Sequence, residues 1–212
     1  MKRIYVFVMV CMLLLAGCEK KASDEIDFGS VENSTYRNNY FGMSMKIPAG
    51  WSVQDQDTQK RLMDAGAKVA SGDDKNLQAV MKASELQTVN LLAVFKHPVG
   101  TPVPFNPCIM CVAERIRHMP GIKSGKDYHF HTKKFFQSGQ MEVSFPKEIY
   151  TKQIGGVDFD IMTLQMSIAG QIVKQKQCAT VMKGYALLFV VAFTNDEEEA
   201  ELAKILESVA LK

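Results

Sequence analysis

The stretch KGYALLFVVAFTNDEEEAELAKILESV, residues 183–209, joins a predicted strand to a predicted helix. Residues 185–194 are rich in aromatic and β-branched residues, which favour a strand. Asn195 or Asp196 can cap a helix, and the glutamates at 197–199 suit the positive end of its dipole. The apolar residues that follow recur at helical spacing and are Leu202, Ile205, Leu206 and Val209. We therefore expect a strand followed by a helix that packs on the sheet and ends the chain.

Upstream of this stretch, alternating apolar and polar residues predict a series of strands. Residues 148–154 lead into Gly155-Gly156, which is a hairpin signal. After the hairpin the apolar positions are odd from 157 to 161 and even from 164 to 168. This change of phase predicts a β-bulge near Met162. Residues 171–182 form a further predicted strand.

The first part of the predicted domain begins with alternation in FGMSMKIPAGW, residues 41–51, which indicates a half-buried strand ended by Pro48 and Gly50. Residues 57–70 have the apolar spacing of a helix that Ser71-Gly72 closes. We read residues 77–82 and 89–96 as two strands, and the second is apolar enough to be central.

The middle of the chain predicts two helices. Asn106-Pro107 is an N-cap and N1 pair, and the residues at 109, 112, 113, 116 and 119 share one helical face until Pro120-Gly121. Ser124 with Asp127 can cap a second helix. Alternation through Tyr128 and Phe130 also allows a strand there, and we favour the helix.

This order of elements resembles the PsbP-like α/β sandwich, which also occurs in bacterial lipoproteins of the DcrB type. The stretches that carry the resemblance are NNYFGMSMKIPAGW, residues 38–51, and residues 183–209. The resemblance implies an α+β fold in which a mostly antiparallel β-sheet is sandwiched by helices. It spans residues 36–211, although the insertion at 105–137 departs from the minimal pattern. It implies binding or assembly roles and supplies no catalytic residue.

The N-terminal segment resembles the signal of a bacterial lipoprotein. Residues 4–16 are an almost unbroken apolar run after a short cationic start, and the run is too short to span a membrane. Leu15-Ala16-Gly17-Cys18 resembles the lipobox, in which the cysteine thiol receives a diacylglyceryl group and the chain is cut before the cysteine. We therefore predict a signal peptide at 1–17 and an anchor in the lipid bilayer through acylated Cys18. The alternative is an ordinary secreted protein with a chance cysteine.

The residues after Cys18 predict where the domain lies. Glu19 stands where an inner-membrane retention signal would place Asp, so we expect the outer membrane, facing the periplasm. Residues 18–35 are polar and predict a disordered or loosely held tether of roughly 20–25 Å. The domain should then occupy residues 36–212.

Composition limits the size and the partners of the mature chain. Removing the first 17 of 212 residues leaves 195, enough for one sizeable core. Lys2 and Arg3 are lost with the signal, so the 25 Lys and Arg become 23 and equal the 23 Asp and Glu. A neutral chain with interspersed charges has no footprint for nucleic acid.

Motifs for catalysis are missing from the sequence. It contains no G-x-S-x-G, no glycine-rich phosphate loop after a strand and no H-E-x-x-H. We therefore expect no enzymatic activity and no cofactor. The predicted function is a binding or assembly module of the cell envelope, with an unknown envelope protein or ligand as partner and the sheet face or the insertion as contact surface.

Cys108 and Cys111 are the residues with reactive potential. They form C-x-x-C at the start of the first predicted helix of the middle region, where the helix dipole would lower a thiol pKa. This pattern allows an envelope thiol-redox protein, or a soft-metal site in which the two thiolates are joined by Met110, His118, Met119, His129 or His131. Its spacing matches no standard zinc pattern. We favour a structural Cys108–Cys111 disulfide in an oxidising compartment with Cys178 reduced and buried, while a longer bond to Cys178 stays open.

Overall fold

The computed structural model describes residues 26–138, 142–168 and 170–212. Its elements in chain order are β1 (Ser30–Glu32), β2 (Thr35–Asn38), β3 (Met43–Lys46), β4 (Ser52–Val53), α1 (Gln56–Ser71), α2 (Lys75–Glu85), β5 (Thr88–Phe95), β6 (Cys108–Arg115), α3 (Gly125–Ser138), β7 (Val143–Ser144), β8 (Tyr150–Ile154), β9 (Val157–Ile168), β10 (Gln171–Met182), β11 (Tyr185–Phe193), α4 (Asp196–Glu207) and β12 (Ala210–Leu211).

The strands form two antiparallel sheets. The large sheet has the order β4-β5-β6-β11-β10-β9-β7, with β8 also paired to β9, and the small sheet has the order β1-β2-β3-β12. On one side of the large sheet, here called the α4 face, Cys111, Phe159 and Phe189 pack with Met45 of the small sheet and Leu202 of α4. The protein therefore has an α+β fold in which most of the core lies between the two sheets and α4.

The opposite side of the large sheet, here called the α3 face, is covered by the other three helices. Residues of β10 and β11 pack there with Tyr128 of α3, and Met162 and Leu164 of β9 pack with Phe136. The carboxylate of Glu114 on β6 joins two of these helices. Three helices lie on one face of the large sheet and the fourth, α4, lies on the other, so the predicted sandwich of a sheet between helices is confirmed.

Caps set the ends of the predicted helices. Asp55 accepts a hydrogen bond from the Thr58 N–H at the start of α1, and Asn195 accepts one from the Glu198 N–H at the start of α4. The Asp127 carboxylate accepts bonds from the N–H and hydroxyl of Ser124, and this confirms the second helix of the middle region. The predicted hairpin before β9 and the predicted strands over residues 171–182 and 185–194 are also present.

Two predicted elements are of the wrong type. Residues 77–82 belong to α2, because Asp74 caps a helix by accepting from the N–H groups of Asn76 and Leu77. The predicted helix from Pro107 to Met119 is instead β6, which pairs with β5 and β11 along its whole length. Both faces of β6 are covered, so its apolar residues no longer alternate, and their spacing imitates that of a helix.

Three smaller expectations also change. The pairing of β9 with β10 runs without a break past Met162, so there is no bulge; the phase changes because the buried side passes from the α4 face to the α3 face. The chain does not end with α4, because β12 follows and pairs with β3. The tether predicted over residues 18–35 is ordered in its described part, because β1 lies within it and pairs with β2. The predicted signal peptide and Cys18 lie outside the described residues.

Candidate functional site

A cleft of about 210 Å³ opens on the α4 face between α4 and the strands β8, β9 and β10. It exists because α4 packs over β11 and leaves the strands beyond it uncovered. The side chains along one edge come from Tyr150, Lys152 and Ile154, which point to this face because alternate residues of a strand share a side. We refer to this feature as the α4 cleft.

The floor of the α4 cleft is apolar. Ile161 of β9, Cys178 of β10 and Val191 of β11 lie there, and each is almost fully buried. Ala203 and Leu206 of α4 form the opposite wall. Burial raises the pKa of the Cys178 thiol to about 12, although Lys176 and Lys152 oppose the shift. The thiol therefore stays protonated near neutral pH and behaves as a small apolar group.

Charged side chains cross the α4 cleft and line its rim. The Lys176 ammonium group on β10 forms an ion pair with the Glu199 carboxylate on α4. Both side chains are about a third exposed or less, at 25% and 34%. Glu207 lies on the α4 wall, and Lys152 on the β8 side has no carboxylate partner among the described residues. The cleft thus combines an apolar floor with one paired and one unpaired ammonium group.

These residues suit binding better than catalysis. The unpaired Lys152 can hold an anionic group, and the floor can accept an apolar group beside it. A general base, a nucleophile and an orienting group in contact would be needed for catalysis of the serine or cysteine type. The thiol in the cleft is protonated and buried, and no histidine lines the site. The sequence analysis did not predict Lys152, Lys176 or Glu199 as site residues. Lys176 and Cys178 are two residues apart in a predicted strand, and this spacing alone could have shown that they lie on the same face.

The structure separates Cys108 and Cys111. They are three residues apart on β6, so they point to opposite faces of the sheet and their Cα atoms are about 10 Å apart. A disulfide needs a Cα–Cα distance below about 7 Å. Both thiols are free in the structure, and the Cys108–Cys111 bridge that we expected is incompatible with β6.

The longer disulfide is excluded by the same sheet. Cys178 and Cys111 are both opposite Phe189, one on each side of β11, so two strand spacings of about 4.8 Å separate them. The prediction that Cys178 is buried with a free thiol agrees with the structure.

The thiol-redox and soft-metal alternatives lose their structural basis. The thiol pKa was expected to fall at a helix N-terminus, but Cys108 begins a strand and burial raises its pKa to about 12. Burial also raises the pKa of Cys111. His118 is exposed beyond the end of β6, whereas Cys108 lies at its start. Within residues 26–138, 142–168 and 170–212, no three His, Cys, Asp or Glu residues are placed to hold a metal ion.

Three solved structures are similar to this chain. The solution structure of cyanobacterial PsbP from Synechocystis gives a TM-score of 0.50 at 11% identity, covering 87% of this chain and 96% of that chain. The crystal structure of LpqN, involved in cell envelope biogenesis of Mycobacterium tuberculosis, gives a TM-score of 0.43 at 13% identity, covering 88% and 86%. A Pseudomonas aeruginosa protein of unknown function gives a TM-score of 0.43 at 12% identity, covering 59% and 81%. No family model and no curated protein matches the chain.

The likeness to cyanobacterial PsbP shows that the fold is PsbP-like, as the sequence predicted. At 11% identity it shows the fold alone. Among the described residues, no helix combines the length and the apolar character needed to cross a membrane.

Proposed function

We propose that this PsbP-like chain is a lipid-anchored protein of the bacterial cell envelope that binds a partner or ligand at the α4 cleft and catalyses no reaction. The observation that carries this proposal is the cleft itself, in which Lys152 and the Lys176–Glu199 ion pair lie over the apolar floor. A ligand with an anionic group next to an apolar group complements these side chains. The lipobox at Leu15–Cys18 supports the anchor.

Blocking the α4 cleft tests the binding site. Ala203 lies on the α4 wall, so Ala203→Trp places an indole in the space that a ligand would occupy. A photoreactive phenylalanine analogue at Tyr150 should give a cross-linked adduct in intact envelopes, and Ala203→Trp should abolish that adduct. The same analogue at Lys46, an exposed residue of β3, is the matched control. Any adduct formed at this position should persist in Ala203→Trp. An adduct at Tyr150 that persists in Ala203→Trp would exclude the cleft.

Replacing the lipidated cysteine tests the anchor. Cys18→Ser removes the thiol that would be acylated, so the protein should leave the membrane fraction or accumulate unprocessed. Unchanged mass and unchanged membrane fractionation would contradict lipidation. The location in the outer membrane, facing the periplasm, is part of the same proposal, and separation of the two membranes on a density gradient tests it.

A further inference from the structure

One end of the large sheet brings together the end of β6, the turn before β11 and the turn between β2 and β3. Arg115 at the end of β6 is opposite Tyr185, the first residue of β11. Lys183 and Gly184 form the turn that precedes Tyr185. Tyr40, between β2 and β3, packs edge-on against Tyr185 with 5.8 Å between the ring centroids. We call this region the basic end, and its cations are Arg115, Arg117 and Lys183.

The three cations are exposed and held in place by neutral groups. The guanidinium group of Arg115 donates a hydrogen bond of 3.3 Å to the Tyr185 hydroxyl. The Lys183 ammonium group donates to the carbonyl oxygen of Tyr40 and lies 5.5 Å from the centre of its ring. Arg117 lies against the turn, since a Cβ atom on Gly184 would be 2.7 Å from Arg117 Nε. None of the three forms an ion pair with a carboxylate of the described residues.

The carboxylates near this end contact other groups and form no ion pair with these cations. The carboxylates and their partners are Asp27 with the Tyr40 N–H, Glu114 with the Tyr128 hydroxyl, and Glu85 with the Lys60 ammonium group. Glu85 is balanced by Lys60, whereas Asp27 and Glu114 keep their negative charges, so the three cations exceed the unpaired carboxylates named here by one positive charge. Such an excess attracts an anionic surface over roughly a Debye length, about 8–10 Å in physiological salt.

Two large apolar side chains are exposed close to the cations. Leu86 is 79% exposed, and the residue after it, Gln87, accepts a 2.8 Å hydrogen bond from the Arg115 N–H. Phe28 is 54% exposed and follows Asp27, which is bonded to Tyr40. Apolar side chains among cations are typical of surfaces that rest at the headgroup level of a bilayer.

The chain reaches the folded domain at this same end. The Asp27 carboxylate accepts a 3.0 Å hydrogen bond from the Tyr40 N–H, one residue after the first described residue, Ile26. Ile26 is eight Cα–Cα steps along the chain from Cys18, and eight steps span at most about 29 Å when fully extended. A lipid on Cys18 would therefore hold the basic end near the membrane surface.

We propose that the basic end is a membrane-contact surface that binds anionic phospholipid headgroups and turns this end of the domain towards the bilayer. The proposal rests on the proposed lipid anchor for its setting in the cell. The attraction itself belongs to the folded domain, since it depends on Arg115, Arg117 and Lys183. The α4 cleft involves none of these residues.

Vesicle binding by a chain without the lipid tests this surface separately from the anchor. The chain from residue 18 onwards with Cys18→Ser is mixed with vesicles of phosphatidylcholine alone or of phosphatidylcholine and phosphatidylglycerol in equal parts. We expect it to sediment with the anionic vesicles at low salt and not with the neutral ones. Adding Arg117→Gln and Lys183→Gln should weaken partition roughly 25-fold, because each cation near an anionic surface contributes about a fivefold factor.

Lys46→Gln is the matched control. Lys46 is exposed, forms no ion pair with a described carboxylate, and lies at the end of β3 away from the turn that contains Tyr40. Its partition should equal that of the parent chain, and circular dichroism should show that all variants fold alike. Equal partition of the double variant and the parent, equal binding to both kinds of vesicle, or binding to neither would overturn the proposal. An error in the anchor proposal would instead appear as unchanged membrane fractionation of Cys18→Ser in cells.

Discussion

His129 Nε2 of α3 lies 2.9 Å from the backbone carbonyl oxygen of Asp160 on β9, and the His129 side chain is fully buried. The Asp160 carboxylate accepts a further hydrogen bond of 2.7 Å from the Lys126 N–H in the first turn of α3. One residue of β9 therefore holds α3 through both its backbone and its side chain. Nδ1 of His129 has no hydrogen-bond partner in the described structure, and burial of the ring disfavours its charged form.

The free energy of unfolding should fall as the solution is acidified below about pH 6.5, the ordinary pKa of histidine. Burial lowers the pKa of His129 in the folded state, so the unfolded chain takes up this proton first. Because the unfolded state then binds more protons, acid favours it, and the stability is restored above this range. Urea unfolding between about pH 7.5 and about pH 5.5 measures the change.

A variant pair isolates this histidine. His129→Gln should be less stable than the parent at neutral pH and should lose most of the pH dependence in this window. His131→Gln alters an exposed histidine two residues away on α3 and should keep the dependence. A parent protein whose unfolding free energy is flat across the window would contradict the assignment to His129.

Gly125→Ala should destabilise the protein by about 1–3 kcal/mol, the usual cost of overpacking a core. A Cβ atom on Gly125 would lie 2.0 Å from the backbone carbonyl oxygen of Ala179, so α3 would have to move away from β10. Gly66→Ala is the matched control in the middle of α1, where a Cβ atom meets nothing within 4 Å. Since Ala favours a helix over Gly, this control should stabilise by about 0.5–1 kcal/mol. Thermal unfolding measures both, and a neutral Gly125→Ala would show that the contact is looser than described.

The three cysteines of the domain should resist alkylation in the folded protein and react fully once it is unfolded without a reductant. Cys108, Cys111 and Cys178 are buried with free thiols, and burial raises the pKa of each. Peptide mapping after labelling in denaturant should therefore find all three alkylated. A cross-linked peptide that joins Cys108 and Cys111 would show that β6 is not paired as described. The exposed cysteine of a Lys46→Cys variant serves as the positive control for labelling of the folded state.

The Lys176–Glu199 ion pair should couple the sheet to α4 only weakly. The two side chains are partly exposed, so solvent screens the pair, and a coupling energy below about 1 kcal/mol is expected. A double-mutant cycle with Lys176→Met and Glu199→Gln measures the coupling, which should shrink at high salt. Lys152→Met removes an ammonium group without a described partner and should change stability by less than about 0.5 kcal/mol. A coupling of several kcal/mol would mean that the pair is far more buried than it is here.

Much of the architecture followed from local sequence because local rules decide it. Asp55 and Asn195 cap helices in place, and the positive backbone φ angles of Gly155 and Gly156 suit the hairpin turn that the sequence indicated. Strands with one buried side, such as β3, alternate as a half-buried strand must. The resemblance of residues 38–51 and 183–209 to PsbP-like proteins pointed to the same fold, and the likeness to the solved PsbP structure confirms it.

The α4 cleft was not visible in the sequence because its walls come from distant parts of the chain. Lys176 and Glu199 meet only because α4 folds back over β11, and Lys152 joins them only because β8 pairs with β9. The C-x-x-C motif is recognisable in the sequence because its two cysteines are three residues apart. In a strand that spacing puts the two thiols on opposite faces.

By itself the sequence determined the α+β class, the ends of α1, the start of α4, the hairpins of the final strands and a lipobox-like N-terminus. Only the tertiary structure decided that residues 108–115 form β6 and that residues 75–85 form α2. Both segments carry apolar residues whose spacing fits either conformation. The apolar period of a segment distinguishes a strand from a helix only when one face of the segment is exposed. β6 lies between β5 and β11 with both faces covered, so its strand conformation depends on pairing with these two neighbours.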